Sequence, residues 1–69
     1  MGCEEKARLA EDYGVATAAF AEAVRELQRN IGTSTSAEYD HLRRISDEAR
    51  LKSEQTRLAF EQHTAAHHC

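Results

Sequence analysis

At residues 30–38 the sequence reads NIGTSTSAE, and this segment predicts the end of one helix and the start of another. Gly32 suits the left-handed conformation in which many helices stop, because glycine has no Cβ atom to clash there. Thr35 precedes Glu38 by three residues, which is the spacing of a capping box at a helix start. The chain therefore favours two helices that are separated by one short turn.

The sequence on both sides of this break favours helix. It is rich in Ala, Glu, Arg, Leu and Gln, and proline is absent. Glu4 and Glu5 fall at the start of the first helix and Arg29 at its end, where each sign of charge stabilises the helix dipole. We predict one domain over residues 1–69, with a first helix at about 4–30, a turn at about 31–35 and a second helix at about 36–67. A short turn makes the helices antiparallel, so the predicted fold is an all-α helical hairpin.

Apolar side chains recur at steps of three and four residues in both halves of the chain, as expected for helices with one buried side. The predicted inward stripe of the first helix is Leu9, Tyr13, Ala16, Phe20, Ala23, Val24, Leu27 and Ile31. The weaker stripe of the second helix is Leu42, Ile45, Ala49, Thr56, Phe60, His63 and His67, with Tyr39 at its edge and an interruption at Lys52 and Ser53. Two helices cannot cover both stripes, and a chain of this size has a marginal core. We therefore expect a homodimer in which two hairpins form an antiparallel four-helix bundle.

Some residues outside these stripes suggest further contact surfaces. Leu51 and Leu58 lie seven residues apart on the outer side of the second helix, and we group them with Val15 and Ala19 as the predicted interaction surface. A helix of another protein is an alternative partner for it. Small residues including Gly14 follow one flank of the first helix. They indicate either a close helix contact there or a tolerated surface defect.

The predicted open end of the hairpin gathers Cys3, His63, His67 and Cys69. The two histidines are one helical turn apart, and thiolate and imidazole ligands suit zinc or another late transition metal. A disulfide between Cys3 and Cys69 is a second interpretation, and free or intermolecularly bonded thiols are a third. Histidines near a helix C-terminus also have a simpler role, since their protonated form stabilises the dipole.

Charge and hydropathy argue against several classes of function. The net charge is −3 and acidic and basic residues alternate, so we expect no nucleic-acid partner. No apolar run approaches the roughly 20 residues of a membrane span, and no secretory signal is evident, which makes a cytoplasmic location the expectation. The spacing of carboxylates, cysteines and histidines predicts no catalytic constellation. We expect a non-enzymatic structural or protein-interaction module, with a metal-binding or redox-responsive module as the alternative.

Overall fold

The computed structural model describes residues 2–67, and the side chains of residues 4–67. Two helices make up the fold, α1 at Gly2–Arg29 and α2 at Ser36–His67. The molecule measures 49 × 13 × 12 Å. That length equals the ~48 Å expected for α2 alone at 1.5 Å per residue, so the helices lie side by side and antiparallel. The predicted all-α hairpin is confirmed, and over the described residues neither helix is long and apolar enough to cross a membrane.

The turn has the predicted stop and start signals. Gly32 has a φ angle of 82°, in the left-handed region. The carbonyl of Asn30 accepts hydrogen bonds from the backbone N–H of Thr33 and Ser34 and from the Ser34 hydroxyl, which donates at 2.8 Å. These bonds satisfy a carbonyl that the end of α1 would otherwise leave without a partner.

The capping box at the start of α2 is formed in both directions. The backbone N–H of Glu38 donates to Thr35 Oγ1 at 3.1 Å, and the backbone N–H of Thr35 donates to Glu38 Oε2 at 3.2 Å. Two backbone donors that lack a partner within the helix are thereby satisfied. The position of the first turn of α2 is fixed by these two side chains.

The seam between the helices follows strict alternate steps of three and four residues, which is the spacing of coiled coils. In α1 the buried or half-buried seam residues are Leu9, Tyr13, Ala16, Phe20, Ala23, Leu27 and Asn30. In α2 they are Tyr39, Leu42, Ser46, Ala49, Ser53, Thr56, Phe60 and His63. The seam of α2 is therefore half polar, although it faces the mostly apolar seam of α1.

Several positions differ from the predicted stripes, among them His67, which was expected to face inward but is exposed. Ile45 was expected to face inward, but it is 41% exposed. The neighbouring Ser46 is buried instead. Ser53 belongs to the seam rather than interrupting it. Ile31 is 60% exposed because α1 has already ended at Arg29 and the turn carries this side chain away from the seam.

Candidate functional site

One side of the hairpin carries two shallow depressions that form a continuous groove. The first has a volume of about 420 Å³ and is lined by Glu11, Asp12, Val15, Ala16, Ala19, Lys52 and Thr56. The second has a volume of about 340 Å³ and is lined by Ala19, Glu22, Ala23, Glu26, Leu42 and Ile45. Ala19 lines both, so they are adjacent along α1. We call this side the groove face, defined by the residues of these two depressions.

Small side chains explain the groove. Ala16, Ala19 and Ala23 contribute only methyl groups along α1, which leaves space beside the seam. Val15 is 65% exposed and Ile45 41% exposed at the rims. The alanine floor and the exposed Val15 and Ile45 side chains give the groove an apolar surface against which a helix can pack.

The charges of the groove face are divided between the helices. All four acidic lining residues, Glu11, Asp12, Glu22 and Glu26, lie on α1. The one charged lining residue from α2 is Lys52. The α1 rim is therefore acidic, while the α2 rim is neutral to basic.

Leu51 and Leu58 lie on a different surface, which we call the outer face of α2. They are 50% and 47% exposed, and neither lines the groove. Ion pairs flank them: Arg50 Nη1 lies 3.2 Å from a Glu54 carboxylate oxygen, and Arg57 Nη1 lies 3.0 Å from a Glu61 carboxylate oxygen. The four residues of the predicted interaction surface are thus divided, with Val15 and Ala19 on the groove face and Leu51 and Leu58 on the outer face.

The opposite flank of α1 carries the small residues that include Gly14. A Cβ atom added at Gly14 would meet no other atom within 4 Å. The hairpin itself therefore does not require glycine at this position, and the close-contact interpretation of this flank gains no support from packing within one chain.

The open end brings two of its four predicted residues together. The rings of His63 and His67 have centroids 4.4 Å apart, as their spacing of one helical turn predicts. Within the described part of the chain no group of three or more His, Cys, Asp or Glu side chains is arranged to hold a metal ion. The Cys3 side chain and Cys69 lie outside the described residues, so the full predicted ligand set and the disulfide are not addressed by the structure.

Ion pairs on α1 link residues one turn apart. Two hydrogen bonds from the Arg25 guanidinium, at 2.7 and 3.2 Å, hold the pKa of the Glu22 carboxyl below its usual range. A hydrogen bond to Glu26 raises the pKa of Arg29 in the same way. All four side chains are 46–62% exposed, so these pairs contribute little to stability.

The predicted stripes did not reveal the groove, because they placed Ile45 inside the hairpin. The signal that locates the groove is the seam spacing, which runs from Tyr39 through Leu42 to Ser46 and continues without a break. This spacing sets the rotation of α2 about its own axis and places Ile45 on the flank of the seam. There Ile45 borders the depression beside Ala19 and Ala23.

Comparisons with protein-family models, with curated proteins and with solved structures found no match. The function proposed below therefore depends on the surfaces of this chain and on their physical chemistry.

Proposed function

We propose that this protein is a non-enzymatic interaction module that works as a homodimer, two hairpins together forming a four-helix bundle. One observation carries the proposal. Among the described residues only Ala16 and Ser46 are buried, at 6% and 7% exposure, and no side chain is fully covered. Stable domains bury most of their large apolar side chains, whereas five of those in this chain are 41–65% exposed.

The exposed area agrees with a missing partner. The accessible surface is 5090 Å². A compact monomer of 7.7 kDa is expected to expose about 4,300 Å². The difference of about 790 Å² is close to the ~800 Å² that each partner contributes to an ordinary stable interface.

The polar seam supports the same conclusion. Ser46, Ser53 and Thr56 occupy seam positions of α2 where coiled coils usually have Leu or Ile. Each replaces a large apolar side chain whose burial would contribute ~1.5–3 kcal/mol. A hairpin with this seam gains stability when a further apolar surface packs against it. A second copy of the chain provides that surface.

The open shape of the surface supports a non-enzymatic role. Both depressions are open along the side of the hairpin, and neither encloses a volume from which water is excluded, as catalysis by a weak nucleophile or base would require. A helix of another protein is the alternative occupant of the same apolar surface. A cytoplasmic location is part of this proposal.

The test is the dependence of thermal unfolding on protein concentration. A homodimer gains stability by mass action, so the midpoint temperature should rise with each increase in concentration. A midpoint that stays constant from low to high micromolar concentration contradicts self-association.

The second candidate is a metal-binding or redox-responsive module, and the contact between His63 and His67 favours it. Two imidazoles on one helical face provide part of a ligand set, which Cys3 and Cys69 would complete for zinc. Native mass spectrometry with and without chelator and reductant tests this candidate. Bound metal or a two-dalton loss at the thiols supports it, and an identical mass under all conditions contradicts it.

A further inference from the structure

We propose that the groove face is the dimer interface, with α1 of each hairpin packed against α2 of the second copy and both turns at the same end. This inference rests on the proposed homodimer and specifies its surface and its geometry. The occupant of the groove is therefore a second copy of this chain.

The shape of the groove face allows two copies to pack closely. Its alanine floor, centred on Ala19, allows the backbone of a neighbouring helix to approach closely. Val15 and Ile45 project at its rims, so two identical faces can interdigitate as ridges into grooves. A two-fold interface needs a self-complementary surface of this kind.

The distribution of charge favours pairing α1 with α2 of the second copy. If α1 met α1 of the second copy, the four acidic lining residues would face their own equivalents. Pairing α1 with the α2 of the second copy avoids that repulsion and brings Lys52 close to acidic side chains such as Asp12. A two-fold axis parallel to the helices produces this pairing, and it places both turns at one end of the bundle.

The outer face of α2 is the competing surface, because Leu51 and Leu58 are 50% and 47% exposed there. Ion pairs border both surfaces: Arg50–Glu54 and Arg57–Glu61 lie beside the outer face, and Arg25–Glu22 and Arg29–Glu26 use acidic residues of the groove face. The cost of desolvating ion pairs is therefore common to the two surfaces. The groove differs by its alanine floor, and the test below compares the two faces directly.

The flank that carries Gly14 offers no such charge pairing. The helix positions that border the seam on that side are Arg43, Arg50 and Arg57 on α2, and Ala10, Thr17 and Val24 on α1. Pairing α1 with α2 of the second copy would therefore place the arginines against uncharged positions of α1. The groove face combines apolar depressions with charges of both signs on different helices.

The test compares one glutamate substitution on each face. Ala19→Glu places a carboxylate in the groove, and Leu58→Glu places one on the outer face as the matched control. Both sites are solvent-exposed in the hairpin and glutamate favours helix, so the hairpin itself should tolerate either change. We expect the dimer dissociation constant to rise at least about tenfold for Ala19→Glu and to change by less than about threefold for Leu58→Glu.

A mixture of two variants tests the pairing of the helices. Ala19→Glu and Ile45→Lys should each weaken the homodimer, whereas an equimolar mixture should form a heterodimer in which the new charges attract. The mixture also serves if a single variant loses helical structure on its own, since association would then restore helicity.

The outcomes separate this inference from the proposed function. A wild-type chain that stays monomeric overturns both. A wild-type dimer that Leu58→Glu dissociates and Ala19→Glu leaves intact, or that both weaken equally, overturns the groove interface but keeps the homodimer. Failure of the mixture to associate overturns the pairing of α1 with α2.

Discussion

The hydroxyl oxygens of Thr17 and Ser53 lie 3.1 Å apart and join the two helices at the middle of the hairpin. Ser53 is half-buried in the seam of α2 and Thr17 is exposed on α1, so the contact lies where the seam meets solvent. It joins the middle of α1 to the middle of α2 beside Ala16, which is one of the two buried residues in the described part of the chain.

We expect Ser46→Ala to raise the free energy of unfolding by roughly 0.5 kcal/mol, because alanine has the higher helix propensity and adds no buried hydroxyl. Ala16→Ser at the other buried position is the reciprocal control, and it should lower the free energy by about 1 kcal/mol. Urea unfolding at a fixed protein concentration measures both. Loss of stability in Ser46→Ala would mean that this hydroxyl contributes to the fold.

Removal of the helix cap at Thr35 should destabilise α2. Thr35→Ala leaves the Glu38 backbone N–H without its acceptor, and such substitutions cost about 1 kcal/mol. Thr33→Ala, in the same turn, should have a smaller effect. Equal losses in the two variants would show that the capping box does not stabilise the start of α2.

Substitution by alanine should change the free energy of unfolding in opposite directions at Gly14 and Gly32. Gly14→Ala should stabilise the protein by about 1 kcal/mol, since the new methyl group meets open space within a helix. Gly32→Ala should destabilise it by about 1 kcal/mol, because φ there is positive. Circular dichroism during urea unfolding reports both changes.

Gly14→Ala also tests the position of the interface. The flank that carries Gly14 faces away from the groove, so the dimer dissociation constant should stay unchanged in this variant. A weaker dimer would place a close helix contact at Gly14 and contradict the groove interface.

The orientation of the two hairpins predicts where the turns lie. With Cys3 and Cys69 replaced by Ser, a pyrene label on Ser34→Cys should give excimer fluorescence, because both turns meet at one end. Turns at opposite ends would be separated by nearly the 49 Å length of the molecule and would give monomer emission. A label on Gln28→Cys, on the flank away from the groove, serves as the control with little excimer.

The sequence predicted the hairpin and its turn well because those signals are local. Gly32 and the Thr35–Glu38 pair act within a few residues of one another, so no tertiary information is needed to place them. Which side of α2 faces α1 was harder to predict. Ile45 is the more hydrophobic neighbour of Ser46, but a shift of one residue turns a side chain by about 100°, and packing against α1 decided which of them faced inward.

The composition of the candidate surfaces depends on which side of α2 faces α1. Val15 and Ala19 line the same depression, yet whether they share a face with Leu51 and Leu58 depends on how the two helices are rotated about their axes in the hairpin. The groove exists because Ala19 on one helix borders Ile45 on the other, a relationship between residues distant in the chain. Sequence periodicity treats each helix alone and does not contain it.

Sedimentation equilibrium of the wild-type protein tests the central claim most directly. The expected mass rises with concentration towards twice the 7.7 kDa of one chain. For Ala19→Glu the mass should stay closer to that of a single chain. A mass of 7.7 kDa at every concentration up to tens of micromolar would contradict the homodimer.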